Sequence, residues 1–395
     1  MACFSVNSNE VQLSFKATAP CQNPFVEDLS ATTALNFSST TGFAPNITFE
    51  QSPTIRSDRQ RNAPIATQKE TGGAFDSAVQ IGPYLPLLEG ALFSEATAVS
   101  AEAGLALTLG TSGKSITGTG FPVPDLGAVF TITSADVTGW NGTYVASSTT
   151  PSTGTEIFLD EFSWIETALS AAASATVNKA SQLKNGVTQK VFNFVQAYTQ
   201  KQNYIVAQEL SVSEYTFNLA QGSIPTQTFT FLGKGFRTAE ADPRTATVAA
   251  STLPEVNPTD NVKKFLVKLA DGTVKNSLIA QSLTFTVNNN VQSVYGLGSE
   301  FARDVSEGSV SVTGSLSFYL DDLSLLAAFN NTQQISIFAE IQDANGNVFA
   351  IDLPFVTLTS VPVGAPGLDE LVTIEGSFEA TLSPSKGYTV ALYTV

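Results

Sequence analysis

The sequence predicts a mainly β protein: two tandem β-sandwich or barrel domains, each with one short α-helix, plus a small inserted all-β domain. Apolar and polar residues alternate along most of the chain, the period of half-buried strands, and helical spacing is confined to two short stretches. Composition agrees, with 43% hydrophobic but only 14% charged residues, against roughly 25% charged in typical soluble domains. Ser, Thr, Asn and Gln must therefore supply the polar surface, and Thr and Phe suit a pleated surface better than Lys or Glu. The order of elements in the first part of the chain also recurs in the second, as an old duplication leaves it.

In the first copy Val11, Leu13 and Phe15 alternate in an opening strand, and a Ser/Thr-rich stretch (30–41) leads to a strand near 46–50. The polar segment Ile55-Arg56-Ser57-Asp58-Arg59-Gln60-Arg61 follows, then strands across 65–81. Residues 83–93 read as a short helix: Pro83 sits where its missing N–H costs nothing, and Leu85, Leu88 and Leu92 share one face. Strands at 190–196, 204–219 and 224–232 complete the copy. Between helix and strands, 97–182 is rich in Ala, Ser, Thr and Gly and holds both tryptophans, Trp140 and Trp164. Short strands are expected at 129–133, 143–145 and 156–159, with Gly139-Trp140-Asn141-Gly142 as a turn. A surface insertion costs little closure entropy, so this stretch reads as a separate β domain on the outer surface. Pro243, Pro254 and Pro258 mark 239–260 as a linker.

The second copy repeats the order. Strands 265–267 and 272–274 flank an Asp271-Gly272 turn, and a strand at 282–287 precedes a polar loop containing Phe301-Ala302-Arg303-Asp304. A strand at 309–319 leads to a helix at 321–329, with Asp321-Asp322 at its positive end. Strands 334–341 and 348–358 flank Asn345-Gly346, expected as a type I′ hairpin, and 371–382 closes the chain. Thr71-Gly72 matches Thr313-Gly314, and 226–230 matches 373–378. The expected division is 1–96 and 183–250 for the first domain, 97–182 for the insertion, and 251–395 for the second domain.

Chemistry is excluded mainly by absence. The chain has no His, which removes Ser-His-Asp and Cys-His catalysis and every His-containing metal site. Gly110-Thr111-Ser112-Gly113-Lys114-Ser115 lacks the spacing of a phosphate cradle, because Thr108 stands where a Gly is needed. Asp343-Ala344-Asn345-Gly346-Asn347 fails as a calcium loop, since Pro354 occupies the position of the closing Glu. The pairs Asp321-Asp322 and Asp160-Glu161 read as a helix start and a solvated loop rather than catalytic carboxylates. No enzyme, cofactor or metal is expected. A net charge of −16 and a pI near 4.4 argue against wrapping nucleic acid. Cys3 and Cys21 read as reduced thiols of a cytoplasmically made protein, with one local disulfide as the alternative. Neither a signal peptide nor a membrane span is expected.

Arg56, Asp58, Arg59, Arg61, Arg303 and Asp304 place Arg near Asp in two equivalent loops of a chain with only 19 basic residues. They form either solvated loops or complementary charges across an assembly interface, where pairing fixes register more than affinity.

Several stretches together resemble the tail tube (major tail) proteins of long, non-contractile-tailed bacteriophages. They are 55–60, 72–75 with 84–93, 222–235 and 283–290. The similarity covers most of both halves but not 97–182. The resemblance implies strands joined into a β-barrel around a channel, a helix outside it, and rings stacked through loops and arms, here 52–63, 291–307 and 18–44. It implies a virion protein of the tail, made in the host cytoplasm, whose partners are further copies of itself, the tape measure protein and the tail terminator and tip proteins. Genomic DNA would pass an acidic lumen without specific binding, and nothing would insert into a membrane. If six equivalent domains close a ring, three chains of two domains suffice, giving a trimeric, pseudo-hexameric ring. The alternatives are a tail terminator or decoration protein of the virion, or a bacterial surface Ig-like adhesion protein.

Overall fold

The computed structural model describes residues 8–20, 28–55, 57–58, 60–110, 113–165, 167–275, 279–363 and 371–395. Cys3, Cys21, Arg56 and Arg59 lie outside the described residues. The alternating stretches form β1 (Val11–Thr18), β2 (Ala44–Glu50), β3 (Ile65–Ala78), helix α1 (Leu85–Leu92), β4 (Val191–Tyr198), β5 (Asn203–Ala220) and β6 (Thr226–Ala239). A second series follows: β7 (Val262–Lys268), β8 (Ala280–Asn288), β9 (Ser311–Tyr319), helix α2 (Ser324–Asn330), β10 (Gln334–Gln342), β11 (Val348–Ser360) and β12 (Thr373–Ala380). All twelve strands belong to one mainly antiparallel sheet curled into half a barrel.

Pairing in the first half runs β1-β4-β5-β6-β3-β2. In the second half it runs β7-β10-β11-β12-β9-β8. Each strand keeps the neighbours of the strand six places later, α1 packs on β5, and α2 packs on β11. Irregularities match as well. An extra residue bulges from β5 between Ala207 and Leu210 and from β11 between Leu353 and Val356. Bulges re-aim a strand, so their coincidence is informative about equivalence.

Register corrects one sequence match. Gly73 lies opposite Phe231 and Gly314 opposite Phe378, so Gly73, not Gly72, corresponds to Gly314. Dipeptide identity misled because a one-residue slip exchanges the two faces of a strand. Thr71 is buried, as is its true counterpart Val312, whereas Thr313 is exposed. Both glycines make room for an aromatic ring: an added Cβ would lie 2.7 Å from the Phe43 ring or 2.4 Å from that of Phe378.

One face of the sheet and the two helices enclose a continuous core. In the first half this core is aromatic, with Phe43 and Phe194 stacked at 4.7 Å and Phe194 edge-on to Phe231 at 4.8 Å. In the second half Ile335, Ile337, Ile341, Ile351 and Leu353 fill it beside Phe318, Phe349 and Phe378. α1 is buried on more than the expected stripe: Leu87 is inaccessible, and Gly90 leaves space for the Phe192 ring, 2.5 Å from where a Cβ would stand. At α2, Asp322 accepts the Ser324 N–H at 2.9 Å. Its pKa falls to about 2, chiefly through the hydrogen bond from Lys275 and then that from Ser324.

The Asn345-Gly346 turn is not type I′. That turn needs two positive φ angles, and here only Gly346 has one, at 89°. Gly346 N–H bonds back to Asp343 O at 3.1 Å, and the Asp343 carboxylate accepts the N–H groups of Asn345 and Asn347. The side chain thus builds the turn.

Within 100–179 a separate six-stranded sheet carries its own core around Trp140, whose indole N–H donates to Ser170 O at 2.9 Å. The Lys114 ammonium sits 4.0 Å from the Trp164 ring centre. Asp160-Glu161, expected in a solvated loop, instead holds Lys268 of β7, each carboxylate at 3.0 Å. Asp160 is buried, and Phe162 stacks on Phe338 at 5.7 Å, so this contact fastens the six-stranded module to the second half. Burial opposes the Lys268 charge, yet Asp160 and Glu161 outweigh it and its pKa is raised.

The 239–260 linker is laid along the first half: Thr247–Val248 pairs in parallel with Thr32–Thr33, and Val256 N–H bonds Val79 O. The last strand, Ala391–Thr394, lies between Ser181–Lys184 and β11. Beneath it Asp352, fully buried, accepts from Lys386 at 2.6 Å and Tyr388 at 2.7 Å.

Candidate functional site

Alternation gives the strands one apolar face, covered by the helices, and one polar face that runs unbroken from the first half into the second. Side chains there link neighbouring strands: Thr228 donates to Asp76 at 2.6 Å, Thr216 meets Thr286 at 2.9 Å, and Thr284 donates to Asn218 at 3.0 Å. Asp76, Glu214, Glu375 and Glu379 add carboxylates among these hydroxyls and amides. Lys234, towards the end of this face, is held by Glu209 at 2.7 Å and Asp304 at 3.1 Å. Burial works against its ammonium, but the two carboxylates prevail and raise its pKa.

The halves meet along β5 and β8, from Glu214–Asn288 to Ala220–Ser282. Phe217 and Phe285 stack across this seam at 5.5 Å on the core face. The loop after β8 then folds over the first half. Its hairpin, Gln292–Val294 with Asp304–Ser306, brings Glu300 to Lys69, Ser293 and Tyr295 to Glu70, and Asp304 to Lys234. The matching loop after β2 behaves differently. β2 and β3 continue as a projecting hairpin to Glu50 and Ile65, and Phe49, Ile55 and Ile65 are 57, 97 and 62% exposed.

Of the residues singled out from sequence, Asp58 and Arg61 lie exposed in that projecting loop, Asp58 accepting the Gln60 N–H and Arg61 reaching Gln51. Arg303 lies against Gly296 with its N–H on Val294 O, and Asp304 belongs to the seam between halves. Sequence reading missed Lys69, Glu209, Lys234 and Glu300. The one available signal was Gly233-Lys234-Gly235, a lysine in an otherwise alternating strand.

Residues 8–381 match the phage tail tube protein family. The chain belongs to that family. A tail tube protein is a structural component of the virion tail, and membership implies self-assembly into a tube. No curated protein matches the chain. Among solved structures this tail tube protein is similar to the SPP1 tail tube, determined by solid-state NMR and cryo-EM. The identity is 20%, the alignment covers 31% of this chain and 73% of that one, and the TM-score is 0.25. No helix among the described residues of this tail tube protein is long and apolar enough to cross a membrane.

Proposed function

We propose that the chain polymerises as stacked rings into the phage tail tube, with the polar sheet face turned inward as a channel for DNA on its way into the host. The observation that carries this is the repeated pairing order joined through β5 and β8, which makes one chain two successive segments of a larger curled sheet. Residues 1–96 with 183–250 form one tube domain, 251–395 the other, and 97–182 an outward module. Three chains then supply six equivalent domains, a trimeric ring. Hydroxyls and carboxylates give DNA phosphates little to hold, so the genome slides without specific binding. The tape measure protein would occupy the same channel before ejection, and terminator and tip proteins would meet the ends.

Exposed Asp58 and Arg61 make the 52–63 stretch the candidate for ring-to-ring contact, and charge pairing there, with Arg56 and Arg59 of the same stretch of sequence, would set register. Asp304 steadies the seam through Lys234, while Arg303 stays within its own loop against Gly296. Negative-stain microscopy of the purified protein tests the reading: hollow rings or tubes are expected, and a monodisperse monomer at high concentration would overturn it. Deleting 52–63 should leave folded subunits that fail to lengthen into tubes; normal-length tubes from the deletion would remove the loop from stacking.

A further inference from the structure

We infer that neighbouring copies join through a strand-for-strand repeat of the β5–β8 seam, made by residues 360–363 of one copy and 43–46 of the next. In this repeat apolar contacts replace the ion pairs of the internal seam. The inference rests on the proposal that copies form rings, and it specifies the surfaces, the register and the chemistry.

The equivalence of the halves fixes the register. Phe285 lies opposite Gly314, and Phe43 packs on the matching Gly73, so Phe43 takes the place of Phe285. Phe217 pairs with Gln227 and Val363 with Ile374, and Gln227 and Ile374 are counterparts, each four residues before the matched Phe231 and Phe378. Val363 therefore takes the place of Phe217, and Ser360 that of Glu214. The internal pairs Asn288–Glu214, Val287–Tyr215, Thr286–Thr216 and Phe285–Phe217 predict Asn46–Ser360, Pro45–Val361, Ala44–Pro362 and Phe43–Val363 between copies. Among the described residues no strand pairs with the outer edge of β2. Val363 is 40% exposed, although the aromatic ring at its counterpart position, Phe217, is fully buried.

The side chains differ by kind at the same places. Where the internal seam has Lys69, the second half has Val310, 38% exposed; where it has Lys234 and Glu209, the second half has Thr381 and Phe355. Leu382, next to Thr381, is 62% exposed. The base of the loop equivalent to 291–307 carries exposed Phe49 and Ile65 beside the mating edge, which leaves the 52–63 stretch for the ring-to-ring contact. Apolar surface thus waits on both sides of the outer seam. Pro45 and Pro362 lie on the mating edges, where proline deters indiscriminate pairing of an open strand and lowers the number of ladder hydrogen bonds. More of the adhesion then falls to side chains. The contact is head-to-tail, the kind that closes rings.

The test is a disulfide trap in assembled protein. In a Cys3→Ser, Cys21→Ser background, Asn46→Cys with Ser360→Cys puts two thiols opposite each other across the inferred pair, at Cβ separations of about 4.5–5.5 Å. Oxidation of assembled rings should link most chains to a neighbour, whereas either single variant, which also serves as the folding control, should give none. Asn46→Cys with Pro362→Cys, two residues out of register, should link at least tenfold less. Rings that form but do not link through 46 and 360, or that link better through 46 and 362, overturn the register. Rings of unmutated protein should survive a rise from about 0.1 to 1 M NaCl, which shortens the screening length from about 10 to 3 Å; their dissociation would overturn the apolar chemistry. If the unmutated protein forms no rings at all, the function proposed above falls first and this inference with it.

Discussion

The two halves share a pairing order, a bulge and a helix position, yet differ in almost every side chain that fills them. The first half packs Phe75, Phe194, Phe229 and Phe231 against one another; the second is richer in isoleucine and leucine beside Phe318, Phe349 and Phe378, and its helix is shorter. Topology here is carried by alternation and by a few close approaches, such as Gly73 and Gly314, rather than by residue identity. The loops differ for another reason. The 291–307 loop has the first half of its own chain to lie on, and it is folded and ion-paired. Among the described residues the 51–64 loop shows no such contact with the second half, and Ile55 within it is exposed. One half displays a finished contact and the other displays the parts of one.

The largest expected effect lies where the halves differ most. Asp352 occupies the position held by Val206 in the first half, and both are inaccessible. Lys386→Met would leave that carboxylate buried without its cation, a loss of about 3–5 kcal/mol, read as a lower denaturation midpoint. Adding Asp352→Val should restore most of it, by making the second half resemble the first. Next, Gly73→Val and Gly314→Val should each cost about 1–3 kcal/mol through overpacking. A cost at only one of them would break the equivalence of the two sites. Lys234→Ala should then lose about 1–3 kcal/mol, because Glu209 is left buried and unpaired, whereas Thr381→Ala at the matching place should change stability by less than about 0.5 kcal/mol. Equal losses would erase the contrast between the two seams.

The smallest effect is at the helix starts, where α2 uses Asp322 and α1 uses proline in its first turn. Asp322→Ala should cost about 1 kcal/mol. Because its pKa is lowered to about 2, the contribution is fully present above the unfolded value of about 3.9 and fades as pH falls through about 2. Thermal unfolding of wild type and variant should therefore converge in strong acid.

The positions of most strands along the chain, both helices and the distinct character of the 100–179 module were legible in the sequence because each rests on local periodicity and composition. What was not legible depended on contacts distant along the chain. Asp160 reads as a loop carboxylate until Lys268 closes on it, and Lys234 becomes a seam residue only when Glu209 and Asp304 converge. The 343–346 turn was misjudged because a side chain, Asp343, supplies acceptors that the Asn-Gly dipeptide alone does not reveal. The Thr-Gly match slipped by one because sequence identity says nothing about which face a residue occupies.

The equivalence of the halves is tested most directly by cryo-EM of the assembled tubes with the chains counted in each ring. Three chains per ring are expected, their six matched halves related by pseudo-six-fold symmetry and the 97–182 module projecting in three rows. A ring of six chains would contradict the account.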